Sequence, residues 1–125
     1  MPGALDIANQ YTTAQSIAAD TYTSTVNGTG VDFNDHGPEV TCTVNVSDVS
    51  GTSPTLDVKL QESSDDSNYT DIYGATVTQV TASDVDYRIT VYNRSESYVS
   101  AVGTIAGTSP SFDVGVVLQA RKTSY

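Results

Sequence analysis

The chain contains the segment Val40-Thr41-Cys42-Thr43-Val44-Asn45-Val46-Ser47, in which apolar and polar side chains alternate without interruption. Successive side chains of a β-strand point to opposite faces, so this pattern predicts a strand with one buried and one solvated face. Cys42 lies on the apolar side of the pattern. We interpret it as a small buried hydrophobe rather than a reactive thiol.

The same alternation recurs at three other places, in Leu56–Gln61, Tyr87–Tyr92 and Phe112–Leu118. Segments rich in Gly, Ser, Asp, Asn and Pro separate these strands and predict turns at Val49–Pro54, Ser63–Asn68, Tyr73-Gly74, Asn93–Glu96 and Ala106–Pro110. With Ala75–Thr81 and Ser97–Ile105 added as strands, the chain has about six to eight strands at the spacing of a sandwich. The sequence therefore predicts an all-β, antiparallel, jelly-roll-like β-sandwich.

Composition supports a single β domain and excludes several classes of protein. The 125 residues include 18 Thr, 16 Val and 15 Ser but only 4 Leu, which favours sheet and turn over helix. The apolar runs are far shorter than the roughly 20 residues of a spanning helix, so we expect no membrane span. With 5 Lys and Arg against 15 Asp and Glu, the net charge is -10. We therefore expect no nucleic-acid partner, because phosphate binding needs clustered basic residues.

The residues before about Val31 have weak periodicity, and we predict an N-terminal arm over residues 1–30 and a sandwich over residues 31–125. Ala14–Asp20 is compatible with a short helix, and equally with a strand that adds to the sheet of a neighbouring subunit. We predict that a chain lacking the residues before Asn27 still folds. Met1–Asp6 lacks the basic and apolar regions of a secretory signal, so synthesis in a cytosol is expected.

An internal repeat is the most informative feature of the sequence. Its first copy is Gly51-Thr52-Ser53-Pro54-Thr55-Leu56-Asp57-Val58, and its second copy is Gly107-Thr108-Ser109-Pro110-Ser111-Phe112-Asp113-Val114. Each copy reads as a turn that feeds a strand, which predicts two hairpins with similar tips. We expect the two hairpins to pack face to face with pseudo-symmetry.

Catalytic and metal-binding interpretations find little support. The single histidine, His36, lies in Asn34-Asp35-His36-Gly37-Pro38, which reads as a turn rather than as part of a Ser/His/Asp triad. One His and one Cys do not suffice for a zinc site. Carboxylates in the loop around Asp65, Asp66 and Asp71 could bind calcium, but the ordered spacing of a calcium loop is missing and a solvated hairpin loop is favoured. We predict no enzyme activity, no metal site and no cofactor.

Eight tyrosines and no tryptophan suggest a contact surface, because Tyr supplies large amphipathic area at interfaces and at sugar sites. Five of them fall near strand ends or on a polar face: Tyr69, Tyr73, Tyr92, Tyr98 and Tyr125. A sugar platform would prefer Trp, so we favour packing or a protein interface over carbohydrate binding.

The segment Gly51–Ile72, with its pattern Leu60-Gln61-Glu62-Ser63, acidic turn, Tyr69-Thr70-Asp71-Ile72, resembles small β-sandwich proteins of tailed bacteriophages. Thr78-Gln79-Val80, Tyr98–Thr104 and Gly107–Phe112 share in the resemblance. Those proteins are encoded among head genes, and several serve as capsid decoration, or cement, proteins. The resemblance covers about Val31 to Arg121. Similar hairpins also occur in phage tail and other virion domains. The chain departs from the expected pattern at Asn93–Tyr98, where an aromatic or Arg-rich strand would be expected, and in the arm.

The resemblance implies a non-enzymatic virion protein that binds the outer surface of a capsid and bridges subunits of the major capsid protein. The implied partners are the major capsid protein and further copies of this chain in a dimer or trimer. We expect the arm and the two repeat tips to make the contacts, at Ala14, Ile17, Tyr22, Thr52, Ser53, Pro54, Thr108, Ser109 and Pro110. The alternative is a receptor- or carbohydrate-binding domain of a tail or appendage.

Overall fold

The computed structural model describes residues 10–123. Apart from Gln10, which has helical geometry, all regular secondary structure in that range is β-strand or isolated β-bridge. The seven strands are Tyr11–Tyr22 (β1), Val26–Asn27 (β2), Val31–Asp32 (β3), His36–Ser63 (β4), Thr70–Thr76 (β5), Val85–Val91 (β6) and Tyr98–Lys122 (β7). Every pairing between them is antiparallel. The predicted all-β antiparallel fold is confirmed.

No helix within residues 10–123 is long and apolar enough to cross a membrane.

Two long strands organise the sheet. β4 and β7 pair from His36 opposite Lys122 to Ser63 opposite Tyr98. One half of this ribbon is flanked by β1 and β6, and the other half by β2, β3 and β5. The strands are therefore hydrogen-bonded into one seven-stranded sheet with two halves, which we call the β6 half and the β5 half.

The two halves share one hydrophobic core. The alternating segments place their apolar side chains in it, with Val40, Cys42, Val44 and Val46 from the β6 half and Leu56, Val58 and Leu60 from the β5 half. Phe112, Val114, Val116 and Leu118 of β7 join the same cluster. Because side chains from both halves are almost wholly buried in a single cluster, the halves cover each other as the layers of a sandwich do.

The prediction that the two Gly-Thr-Ser-Pro segments are turns at hairpin tips is wrong. Both segments lie inside the long strands, where they face each other and the ladder shifts register on either side of Thr52. Gly and Ser in left-handed conformations bend each strand without ending it. β4 and β7 continue to pair with each other beyond the bend. A composition typical of turns here builds a pair of irregularities in a continuous ribbon.

The described part of the predicted arm is a strand of the chain's own sheet. β1 pairs with β7 over Tyr11–Tyr22. It is therefore a strand rather than a helix, and it belongs to the sheet of its own chain. Ile17 is 2% exposed and belongs to the core. We therefore correct the expectation that removing the residues before Asn27 leaves the fold intact. Residues 1–9 of the predicted arm lie outside the described residues.

Candidate functional site

The two repeat copies meet in a single surface patch at the middle of the ribbon. Thr52 of β4 lies directly opposite Thr108 of β7. Thr52, Ser53, Thr108 and Ser109 are exposed, and Pro54 and Pro110 are half-buried. We call these six residues the crossing patch. The sequence predicted all six as contact residues but placed them on two separate tips; the structure brings them together.

Glycine is required at the two positions that directly precede the crossing patch, Gly51 and Gly107. Gly51 has φ +113° and Gly107 has φ +121°, values that residues with a Cβ rarely adopt. A Cβ on Gly51 would lie 2.6 Å from the carbonyl oxygen of Ser109, and a Cβ on Gly107 would lie 2.8 Å from that of Ser53. The two strands therefore approach each other in a way that only glycine permits.

The crossing patch has local two-fold pseudo-symmetry. Ser53 and Ser109 occupy the left-handed region with nearly the same φ, +49° and +48°. The strand pairing has the same symmetry. Leu56 of β4 pairs with Ile105 of β7, and their counterparts in the other repeat copy, Phe112 of β7 and Val49 of β4, also pair with each other. Thr52 and Thr108 pair with each other at the pseudo-two-fold axis that relates the two repeat copies. The crossing patch therefore presents two copies of one surface motif side by side.

The crossing patch is uncharged on a strongly acidic chain, and carboxylates lie next to it. Asp48 and Asp113 are directly opposite each other on β4 and β7, at the edge of the patch toward the β6 half. The Thr21 hydroxyl donates a 2.5 Å hydrogen bond to Asp113 Oδ1. A partner that docks here thus meets neutral hydroxyl and proline side chains bordered by negative charge.

The three predicted contact residues of β1 lie in different environments. Ile17 is buried in the core, so a contact through its side chain would require β1 to leave the sheet. Ala14 is half-buried opposite Leu118, well away from the crossing patch. Tyr22 is half-buried opposite Phe112, and its hydroxyl donates a 2.6 Å hydrogen bond to the Ala18 carbonyl. Of the three, only Tyr22 lies near the crossing patch.

The acidic loop after β4 is organised around Asp65. Its carboxylate accepts hydrogen bonds from the Ser63 and Asn68 side chains and from the backbone N–H groups of Ser67 and Asn68. These bonds, led by the Asn68 backbone N–H, hold the pKa of Asp65 below its ordinary range. The Tyr69 hydroxyl donates to Asp66, and Asp71 accepts from Gln61 and forms an ion pair with Lys59.

The carboxylates of this loop are therefore committed to separate partners. Within residues 10–123, no three His, Cys, Asp or Glu side chains are grouped so that they could hold a metal ion. The arrangement is that of a hairpin loop tied by its own side chains.

His36 and Cys42 both have structural surroundings. The Nδ1 atom of His36 lies 2.7 Å from the Asn34 carbonyl oxygen, and Nε2 lies 2.7 Å from the Thr12 hydroxyl. These contacts tie the turn before β4 to the start of β1. Cys42 is fully buried, and burial raises the pKa of its thiol to about 12. The prediction that Cys42 is a buried hydrophobe is confirmed.

Two tyrosines line a shallow groove on the β6 half. Tyr11, which is 40% exposed, and Tyr92, which is 69% exposed, border a groove of about 330 Å³ with Pro38 and Glu39. Tyr73 is 91% exposed, whereas Tyr69 and Tyr98 are half-buried. Tyr125 lies outside the described residues.

A second groove is acidic, and no pattern in the sequence predicts it. Asp20, Asp84, Asp86 and Asp113 line a groove of about 600 Å³. These residues come from the end of β1, the turn before β6, β6 itself and β7. No local sequence signal connects them, because their proximity depends on the pairing of distant strands.

Comparisons with known proteins add a weak structural likeness. No protein-family model matches this chain, and no curated protein matches it. Among solved structures, the chain is similar to the crystal structure of the SPBc2 prophage-derived protein YomS, with 12% sequence identity and a TM-score of 0.48. The similarity covers 88% of this chain and 91% of that one. At this identity and score, the likeness supports no inference about what this chain binds.

Proposed function

We propose that this chain is a non-enzymatic virion structural protein that binds the outer surface of a phage capsid and bridges subunits of the major capsid protein. The sequence resemblance to head decoration proteins supports this proposal. A protein of this kind would be made in the host cytoplasm and would end up on the exterior of the virion.

The observation that carries the proposal is the crossing patch. A duplicated Gly-Thr-Ser-Pro motif presents two equivalent uncharged surfaces next to each other, with Thr52 and Thr108 exposed on the axis between them. Two equivalent surfaces on one rigid element fit a bridging role, because each copy can contact one of two neighbouring capsid subunits. The left-handed backbone at Gly51 and Gly107 holds this surface in one shape.

Bridging by such a module acts through number rather than through strong single contacts. Each contact at the crossing patch would be small, because the patch contains only short side chains. Many copies on one shell resist its expansion together, since breaking one bridge leaves its neighbours in place. The net charge of -10 disfavours binding to DNA, which suits a protein that must attach to protein alone.

The copy number of this chain in purified virions of its source tests the proposal. We would measure its mass-spectrometric stoichiometry against the major capsid protein. A ratio near one, corresponding to roughly hundreds of copies on a symmetric shell, is the expected result. A handful of copies would place the chain in the tail or at the portal, and its absence from virions would overturn the proposal.

The groove between Tyr11 and Tyr92 favours a second candidate, a receptor- or carbohydrate-binding domain of a tail or appendage. Sugars stack on exposed aromatic rings, and polar side chains at the same groove can accept or donate hydrogen bonds. Binding to a glycan array that is lost in Tyr92→Ala would favour this candidate. No binding to any glycan, combined with a high copy number, would eliminate it.

A further inference from the structure

Strand β6 is an open edge of the sheet. It pairs with β4 from Val85 opposite Val46 to Val91 opposite Val40. No other strand within residues 10–123 pairs with β6, so its outer edge offers unpaired backbone groups along its length. Such an edge is a template for another strand unless the protein blocks it.

The outward face of β6 carries two opposite charges, two residues apart. Asp86 and Arg88 are both exposed, and they face Asn45 and Thr43 across the β4 pairing. Among residues 10–123, the side chains of Asp86 and Arg88 form no hydrogen bond or ion pair. Both charges on this edge thus lack a partner within the described chain.

The inward face of β6 is apolar but incompletely covered. Val85, Tyr87 and Ile89 pack against the core, yet all three are half-buried. Their neighbours across the pairing, Val46, Val44 and Cys42, are buried. The edge therefore leaves apolar area exposed that one more strand would cover.

We propose that β6 pairs antiparallel with β6 of a second copy of this chain, with the two-fold axis at Tyr87. In this register Asp86 of each copy lies opposite Arg88 of the other, which gives two cross-strand ion pairs on the outer face. On the inner face Val85 lies opposite Ile89, and the two Tyr87 rings lie side by side. Opposite charges and β-branched pairs directly across a ladder stabilise the sheet.

Other antiparallel registers are worse by charge or by face. An axis at Asp86 or at Arg88 places like charges opposite each other. A shift of the axis by half a residue places inward side chains opposite outward ones and would expose the apolar face. The sequence Val85-Asp86-Tyr87-Arg88-Ile89 therefore matches itself in one register.

The acidic groove strengthens this choice of partner. Asp20, Asp84 and Asp113 line the groove together with Asp86. Asp84 and Asp86 lie at the β6 side of this groove, next to the position that Arg88 of the second copy would occupy, whereas Asp113 and Asp20 lie further across the sheet. A strand bearing a basic residue at that position is favoured over an acidic or neutral one.

The test uses the isolated full chain, so it is independent of whether the protein binds a capsid. Sedimentation velocity over about 10 µM to about 1 mM should show a concentration-dependent species with twice the 13.2 kDa mass of the chain. Arg88→Asp places two pairs of carboxylates opposite each other, and the dimer should be lost over this range. The double variant with Asp86→Arg and Arg88→Asp exchanges the charges at unchanged net charge and should restore the dimer.

Lys122→Asp is the matched control for net charge. It changes the charge by the same amount as Arg88→Asp but lies at the end of β7, which β4 separates from β6. It should dimerise as the native chain does. If the native chain is monomeric throughout the range, or if the exchanged double variant stays monomeric, the proposal is wrong, and the two charges act instead to block the edge.

A cysteine placed on the axis tests the register. In Tyr87→Cys the two thiols would lie opposite each other and should form an intermolecular disulfide under mild oxidation. Tyr92→Cys, at a position that is more exposed than Tyr87 but lies beyond the strand, should give much less. The native Cys42 is fully buried and contributes little background. Equal crosslinking at positions 87 and 92 would contradict the proposed axis.

Discussion

Thr52 and Thr108 lie directly opposite each other where the two long strands of the sheet bend, and each belongs to one copy of the same Gly-Thr-Ser-Pro motif. The repeat is thus a structural pair, since each copy completes the other. Ser109 and Pro110 occupy the space beside Gly51, and Ser53 and Pro54 occupy the space beside Gly107. A side chain added at Gly51 or Gly107 is therefore expected to disturb the opposite strand.

Substituting either glycine that precedes the crossing patch, Gly51 or Gly107, should destabilise the fold. Gly51→Ala and Gly107→Ala each bring a Cβ within 2.6 to 2.8 Å of a backbone carbonyl oxygen at a φ that L residues rarely adopt. We expect each to lower the free energy of unfolding by about 3 kcal/mol, as measured by urea denaturation.

Gly74→Ala separates the cost of backbone strain from the cost of the steric clash with the opposite strand. Gly74 also has a positive φ, +76°, but a Cβ there would meet no atom within 4 Å. Its substitution should cost only the backbone strain, about 1 kcal/mol. An equal loss of unfolding free energy on substitution of Gly51, Gly107 and Gly74 would show that the close approach of the strands adds nothing to the cost of the substitution.

Alternation predicted the centre of the fold because it depends on the residues of each strand alone. Val40–Val46, Leu56–Leu60 and Phe112–Leu118 bury the side chains that the pattern selected. Tyr87 and Ile89 follow the same pattern but stay half-buried, because β6 lies at an edge and has one neighbour only. The period of a strand is visible in its sequence, whereas its position in the sheet is not.

The crossing patch could be predicted only in part, for a related reason. Gly, Ser and Pro in succession usually mark a turn, and nothing within Gly51–Pro54 shows that the strand continues past it. Continuation depends on the second copy, which pairs with the first across the ribbon. Likewise β1 has weak periodicity because its register with β7 shifts after Gln15 and again after Ile17.

A hydroxyl holds β1 to the β5 half of the sheet. Ser16 is buried, and its Oγ accepts a 2.8 Å hydrogen bond from the Ala101 N–H while donating one to the Thr29 carbonyl. Ser16→Ala leaves both backbone groups unpaired, which should lower the free energy of unfolding by about 2 kcal/mol. Thr13→Ala, at an exposed position of the same strand, should change it by less than about 0.5 kcal/mol. Similar midpoints for the two variants in urea would mean that water replaces the lost hydroxyl.

The Asp65 loop should make stability depend on acid. The pKa of Asp65 is lowered in the folded state, mainly by the Asn68 N–H bond, so the carboxylate binds protons less readily when folded. Its contribution is present above the unfolded pKa of about 3.9 and is lost as the pH falls through the folded value. Asp65→Asn should therefore lower the melting temperature at pH 7 and flatten its decline below about pH 4.

Glu39→Gln is the control for that experiment, because the side chain of Glu39 is exposed and forms no hydrogen bond or ion pair with another residue in the range 10–123. Its melting temperature should follow that of the native chain between pH 7 and pH 2. If Asp65→Asn and Glu39→Gln give the same pH profile, the bonds to Asp65 do not stabilise the folded loop.

The exposed hydroxyls of the crossing patch allow capsid binding to be tested without disturbing the fold. Thr52 and Thr108 are exposed, so Thr52→Lys and Thr108→Lys should unfold at nearly the native urea concentration. A long charged side chain at the centre of a small neutral contact would be desolvated without a partner, which disfavours docking. We expect the combined variant to lose at least about tenfold in affinity for undecorated heads, measured by co-sedimentation. Thr104→Lys, exposed on β7 beyond the crossing patch, adds charge elsewhere and should bind as the native chain does. If the combined variant decorates heads fully, the crossing patch is not the capsid contact, and β1 near Tyr22 becomes the next surface to vary.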